Sequence, residues 1–184
     1  MPPLDMLKII FKDKFFYQLY FQNPGVAEAE LERDVRTALR KFYHMASGQM
    51  DVGLMPDKPA NADLLSDLPD PEHLGAWMSD ADLDFYVSEF SRSGFRGPLN
   101  YYRNHNLTWE LTEGAPTQIQ QPALFVAGDR DGVIAMAAQA LENMPTYVTD
   151  LRVNALIPGI GHWTQQEAAE ATNEYLLDWL ASLG

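Results

Sequence analysis

Apolar residues recur at helical spacing through the first part of the chain, residues 1–112. In "AEAELERDVRTALRKFYHMASG" five of them share one face of a predicted helix that Gly48 would end: Leu31, Val35, Ala38, Leu39 and Phe42. "SDADLDFYVSEFSRSG" predicts a second helix, with Ser79 as its N-cap and Gly94 at its end. This pattern predicts a helical region over 1–112.

Three shorter segments complete that region. "KDKFFYQLYFQ" predicts a helix that Asn23-Pro24-Gly25 interrupts, because these residues favour a turn. "PLNYYRNHN" predicts another helix, with Pro98 in its first turn. Between Ser47 and Met78 no period is visible, so we expect a long loop with short helical turns.

From residue 113 onward the pattern alternates between strand and helix. "ALFVAG" (123–128) and "LRVNALIP" predict parallel strands, the first of them buried, separated by a helix in "IAMAAQALENM". Thr164 and Glu167 predict a capping box for a final helix. That helix is expected to bury Ala168, Thr172, Tyr175, Leu176, Trp179 and Leu180. The order predicts an α/β fold over 113–184.

The composition restricts the classes of partner. Hydrophobic residues make up 46% of the chain, which is typical of globular proteins. The net charge of −13 repels phosphates, so we expect neither nucleic acid nor an anionic membrane as a partner. The absence of cysteine excludes disulfides and thiolate metal sites and favours a reducing compartment, the cytoplasm. "MPPLDMLKII" does not read as a signal peptide, and no apolar run is long enough to cross a bilayer.

Candidate chemistry lies after each predicted strand. "AGDRDG" offers Asp129 and Asp131, and "GIGHW" offers His162. Parallel neighbouring strands bring such loops to one edge of the sheet, where an acid can orient a histidine that acts as a base. By itself, His162 is equally well explained as a hydrogen-bonded loop histidine, and either aspartate as a turn or capping residue.

Three segments resemble one family in combination: "FFYQLYFQNPGVAEAELE", "SGFRGPLNYYRN" and "GHWTQQE". They are similar to the cap and C-terminal core of α/β-hydrolase-fold epoxide hydrolases of the soluble type, over nearly the whole chain. In that family an aspartate opens the epoxide as a covalent ester, a histidine–acid pair activates water, and two cap tyrosines bind the epoxide oxygen. The resemblance implies Asp131 as the acid, His162 as the base, and Tyr17 and Tyr102 as the phenols, with no metal or organic cofactor.

The phenols suit the chemistry of epoxide opening, which leaves an alkoxide. A preorganised donor could lower that barrier by roughly 3 kcal/mol. Each assignment has an alternative. Tyr17 lies in an aromatic cluster and could be a core residue, while Tyr101 competes with Tyr102 because adjacent helical residues point about 100° apart.

Three further residues are expected near the substrate. By analogy with the family, Gln18 and Phe21 would line the pocket. Trp163 would either form a wall of the site or pack against the final helix.

Two family motifs are missing from the chain. Neither the oxyanion-hole pattern His-Gly-x-Pro nor the nucleophile elbow Gly-x-Asp-x-Gly occurs, and "GDRDG" has Arg130 at its centre. Asp129 would lie beside the acid rather than across the pocket, so we discount it as a nucleophile. We therefore expect a truncated product, one piece of a split enzyme, or part of a longer protein.

Such a piece should be inactive on epoxides. Two strands are too few for an independent sheet, and their apolar faces should associate with the missing N-terminal half or with another copy. Two alternative functions remain open. One is a haloalkane dehalogenase-like hydrolase, against which the paired tyrosines argue, and the other is a non-catalytic binding fragment.

Overall fold

The structure, a computed structural model, describes residues 1–50 and 58–184 and contains two compact units. The first unit comprises Met1–Phe42, the described residues 58–71 and Asp80–Ala115, and the second comprises residues 43–50, Glu72–Ser79 and Pro116–Gly184. The elements are α1 (Pro3–Ile10), α2 (Tyr17–Tyr20), α3 (Val26–Leu31), α4 (Val35–Met45), α5 (Asp80–Ser93), α6 (Arg96–Arg103), α7 (His105–Leu111), β1 (Ala123–Gly128), α8 (Gly132–Met136), α9 (Ala138–Tyr147), β2 (Leu151–Ile157), α10 (Thr164–Glu167) and α11 (Ala169–Ala181).

The first unit is helical, as predicted, but the predicted helix through Leu31 and Phe42 is wrong in one respect. It is divided into α3 and α4, because Asp34 accepts hydrogen bonds from the backbone N–H (3.1 Å) and hydroxyl (2.8 Å) of Thr37 and so caps a new helix. The buried apolar side chains of the unit are Leu4, Phe21, Ala27, Leu31, Ala38, Leu39, Leu64, Leu68, Leu83, Phe95 and Leu99.

The turn and loop predictions for this region agree with the structure. Gly25 has a φ of 87°, which glycine adopts without strain, and it separates α2 from α3. The helix expected in "KDKFFYQLYFQ" is reduced to the single turn of α2. The expected loop between Ser47 and Met78 includes 51–57, which lie outside the described residues. The described stretch 58–78 has neither helix nor strand, which confirms the loop there but not its short helical turns.

The second unit contains the sheet. The two predicted strands are confirmed, and they pair in parallel, with Ala127 opposite Leu156 and Gly128 opposite Ile157. The expected burial of β1 is confirmed only at its carboxyl end, at Ala127 and Gly128. The rest of β1 is half-buried because the sheet has only two strands among the described residues.

The end of the chain differs from its prediction. Thr164 and Glu167 form the separate turn α10, and Ala168, with φ −137° and ψ 52°, interrupts the helix before α11. The expected burial of the final helix is wrong for all six residues. Tyr175, Leu176 and Leu180 are exposed, and Ala168, Thr172 and Trp179 are half-buried. Two strands offer too little surface to cover that face. In the part of the chain that the structure describes, no helix is both long and apolar enough to cross a bilayer.

Candidate active site

A histidine and an aspartate meet at the carboxyl ends of the two strands. His162 Nδ1 lies 2.9 Å from Asp131 Oδ2. The Asp131 side chain is 10% exposed and that of His162 is 46% exposed, so the acid is shielded while the imidazole can reach solvent. With the proton on Nδ1, that N–H donates a hydrogen bond to the carboxylate, and the unprotonated Nε2 can act as a base.

Asp131 also has the capping role that the sequence left open. Its Oδ1 accepts a hydrogen bond from Val133 N at 2.8 Å and so caps α8. The two roles use different oxygen atoms and do not compete. The cap instead fixes the carboxylate, so that Oδ2 faces His162.

The loops that carry this pair are bound to each other through their backbones. Asp129 Oδ1 accepts from Gly159 N at 2.7 Å, and Arg130 N donates to Ile160 O at 2.9 Å. A Cβ on Gly128 would lie 2.1 Å from the same carbonyl oxygen of Ile160, so only glycine fits there. Asp129 therefore stabilises the loops, and its carboxylate is occupied within them.

Trp163 packs beside the histidine. Its ring lies 5.1 Å from the His162 ring at 80°, and 4.6 Å from the ring of Tyr43. Its indole N–H donates to Tyr43 O at 2.8 Å. No local sequence pattern indicated Tyr43 as the partner, because 120 residues separate the two positions.

In the first unit the two predicted phenols meet. The rings of Tyr17 and Tyr102 are 5.6 Å apart and nearly perpendicular, at 82°. Tyr101 is 81% exposed, so Tyr102 is the member of that pair that faces inward. Gln18 Nε2 donates to the Tyr17 hydroxyl oxygen at 2.9 Å, which leaves the Tyr17 O–H able to donate.

Burial, with a smaller contribution from Tyr17, raises the pKa of Tyr102 above its usual value. The raised pKa favours the protonated phenol, which is the form that donates a hydrogen bond. This electrostatic environment suits a group that binds a developing oxyanion.

The ring of Phe21 packs against both phenols, Tyr17 and Tyr102. The residue is 2% exposed, and its ring lies 5.6 Å from that of Tyr17 and 5.1 Å from that of Tyr102. Arg103 Nε donates to Phe21 O at 2.8 Å, and its guanidinium binds Glu28 with two hydrogen bonds of 2.7 and 2.9 Å. This Arg103–Glu28 pair was not predicted, because no local pattern relates residues 75 positions apart.

Over residues 1–50 and 58–184, no cluster of three or more histidine or acidic side chains could hold a metal ion.

The structure combines parallel strands with a histidine–acid pair at their carboxyl ends, and epoxide hydrolases are similar to this chain in sequence and structure. The chain is 36% identical to epoxide hydrolase A of Mycobacterium tuberculosis over 99% of its length, and 34% identical to bifunctional epoxide hydrolase 2 of Mus musculus over 97%. Its structure matches an epoxide hydrolase from an endophytic Streptomyces with a TM-score of 0.93 at 40% identity over the whole chain. The chain is thus a homologue of the α/β-hydrolase-fold epoxide hydrolases and has part of their fold. No protein-family model matches it.

The chain matches only part of the length of each of these relatives. The chain spans 57% of the M. tuberculosis protein, 32% of the mouse protein and 56% of the Streptomyces chain. The resemblance inferred from the sequence is confirmed, including its restriction to part of these proteins.

Proposed function

We propose that this chain supplies the phenols and the water-activating base of an epoxide hydrolase, which converts an epoxide and water into a vicinal diol. The observation that carries the proposal is the contact between His162 Nδ1 and Asp131 Oδ2 at the ends of two parallel strands. The names of the relatives support epoxides as the substrate class.

The first step is the opening of the ring. A carboxylate that this chain lacks attacks an epoxide carbon, the C–O bond breaks, and an ester and an alkoxide form. Tyr17 and Tyr102 donate hydrogen bonds to that oxygen, and a proton from one of them neutralises it.

The second step is hydrolysis of the ester. His162 Nε2 removes a proton from water, and the hydroxide attacks the ester carbonyl. The acyl C–O bond of the intermediate breaks, and the diol leaves as an alkoxide that takes the proton of the regenerated carboxylic acid. Asp131 stabilises the imidazolium until it returns its proton to the tyrosinate left by the first step. Gln18, Phe21 and Trp163 are proposed to shape the substrate pocket.

We also propose the division of labour within the chain. Residues 1–112 would form the helical cap and residues 113–184 part of the core, and the enzyme would work in the cytoplasm. The absence of cysteine supports that location.

A partner segment would complete the sheet. Leu156 on β2, and Leu176, Leu177 and Leu180 on α11, are between 40% and 64% exposed. Apolar surface of this kind favours association. We propose that the remaining part of the α/β core covers it.

The test is complementation. The chain is joined to the part of the Streptomyces enzyme that it does not match, and diol formation from a styrene-oxide-like substrate is measured. The 184-residue chain alone should give no diol, and the joined protein should give diol at many turnovers. In the joined protein, His162→Gln should stop turnover but still form the ester, which mass spectrometry detects as a mass increase equal to the substrate.

Other outcomes identify the alternatives. Halide release from a haloalkane without diol formation would indicate a dehalogenase. Binding of the epoxide by a folded joined protein, with neither ester nor diol, would indicate a non-catalytic binding fragment. Rapid turnover by the chain alone would refute the assigned roles.

A further inference from the structure

Glu167 binds three backbone N–H groups with one carboxylate. Its Oε2 accepts from Gly48 N at 2.8 Å and from Gly161 N at 3.2 Å, and its Oε1 accepts from Trp163 N at 3.2 Å. The residue is half-buried, and all three donors belong to the second unit. The predicted capping box with Thr164 is therefore wrong, because the carboxylate turns to other donors.

Two of these donors flank the proposed base in sequence. His162 lies between Gly161 and Trp163, and its own backbone N–H donates to Ala46 O at 2.8 Å. The three consecutive N–H groups of residues 161–163 are thus all bound, two of them by Glu167. Hydrogen bonds therefore hold the backbone on both sides of His162, independently of the contact between its ring and Asp131.

The segments joined by Glu167 touch without side chains between them. A Cβ on Gly48 would lie 2.2 Å from Gly159 O, and one on Gly161 would lie 2.3 Å from Gly48 N. Such packing leaves little room for a replacement side chain to supply the lost acceptor. The carboxylate suits this place because it has two accepting oxygens, whereas an amide has one.

We propose that Glu167 is a positioning residue that holds the backbone of His162, so that Nδ1 faces Asp131 and Nε2 is presented to water. This inference rests on the proposed function only for its catalytic consequence. The hydrogen bonds from the N–H groups of Gly161 and Trp163 to Glu167 can be tested without measuring activity.

The catalytic test separates the two chemical steps in the joined protein. A base displaced by about 1 Å can lose on the order of 100-fold in rate. In Glu167→Ala we therefore expect ester hydrolysis to slow about 10- to 100-fold, while ester formation changes less than about 3-fold. Glu167→Gln keeps one acceptor oxygen, so its rate of ester hydrolysis should lie between those of the unsubstituted joined protein and of Glu167→Ala.

Glu170→Ala is the matched control, because it removes an exposed carboxylate of α11 three residues away. It should leave both rates unchanged. Equal losses in both steps in Glu167→Ala, or no loss in either, would overturn the positioning role.

The activity-independent test is amide hydrogen exchange of the 184-residue chain. In Glu167→Ala the N–H groups of Gly161 and Trp163 should exchange at least about 10-fold faster, while that of Val133 keeps its protection. If this variant does not fold, Glu167→Gln should show the faster exchange at one or two of the three donors. Unchanged exchange in a folded variant would overturn the inference, even if the joined enzyme is active. Absence of diol with altered exchange would refute the proposed function alone.

Discussion

Asp131 binds His162 with one carboxylate oxygen and caps a helix with the other. Oδ2 lies 2.9 Å from His162 Nδ1, and Oδ1 accepts from Val133 N at 2.8 Å. The capping role is therefore observed, and it leaves the other oxygen available to His162. The cap is the reason that the second oxygen points toward the imidazole.

This double role predicts that two substitutions of Asp131 separate the effects. Asp131→Asn can keep the cap but favours the wrong imidazole tautomer, so ester hydrolysis in the joined protein should fall by about 100-fold or more. Its unfolding free energy should change by less than about 0.5 kcal/mol. Asp131→Ala should show the same fall in the rate of ester hydrolysis and, in addition, a loss of about 1 kcal/mol of unfolding free energy. Single-turnover kinetics measures the rate of ester hydrolysis, and urea denaturation measures the unfolding free energy. Equal unfolding free energies of the two variants would contradict the capping role of Asp131.

The two adjacent tyrosines offer a matched pair for the first step. Tyr102 packs against Tyr17, whereas Tyr101 is 81% exposed. In the joined protein Tyr102→Phe should slow ester formation by about 100-fold, because one oxyanion donor is lost. Tyr101→Phe should leave it unchanged. Rapid-quench measurement of the ester decides this, and similar rates in both variants would remove Tyr102 from the mechanism.

The Arg103–Glu28 pair predicts a pH dependence of stability. Hydrogen bonds from Arg103 lower the pKa of Glu28 from 4.5 to about 2. Because the unfolded chain then binds this proton more readily, the pair stabilises the fold above about pH 4.5 and the stabilisation is lost as the pH falls toward about 2. The full shift corresponds to about 3 kcal/mol, which is an upper limit because solvent screens the pair.

The measurement compares the chain with its Glu28→Gln variant by urea denaturation at several pH values. Other carboxylates titrate in both proteins, so the difference in unfolding free energy isolates Glu28. That difference should shrink as the pH is lowered from about 7 to about 2.5. A difference that stays constant with pH would show that the pair does not stabilise the fold.

Two glycines predict opposite responses to alanine. A Cβ on Gly161 would lie 2.3 Å from Gly48 N and 2.4 Å from Ser47 C, whereas a Cβ on Gly132 meets nothing within 4 Å. Gly161→Ala should lower the unfolding free energy by about 3 kcal/mol or more, because backbone atoms must move. Gly132→Ala, at the start of α8, should raise it by up to about 1 kcal/mol. Equal effects in denaturation curves would contradict the close packing at Gly161.

Local patterns were sufficient where neighbours in sequence decide the structure. The run at 123–128 is β1 with the predicted bounds, since a short apolar segment between Pro122 and Gly128 has few other solutions. The predicted continuous helix through Leu31 and Phe42 is divided, because the Asp34 cap at Thr37 outweighs an unbroken apolar stripe. The motifs also pointed to Asp131 and His162, which the structure brings together.

The sequence by itself determined the types of element, the parallel strands and the resemblance to epoxide hydrolases, because these depend on residues close together in the chain. Only the tertiary structure decided that Tyr102 rather than Tyr101 faces Tyr17, and that Glu167 binds the N–H groups on both sides of His162. Such contacts depend on which backbone segments meet after folding. A carboxylate binds whichever donors then lie within hydrogen-bonding distance, and no spacing along the chain encodes that.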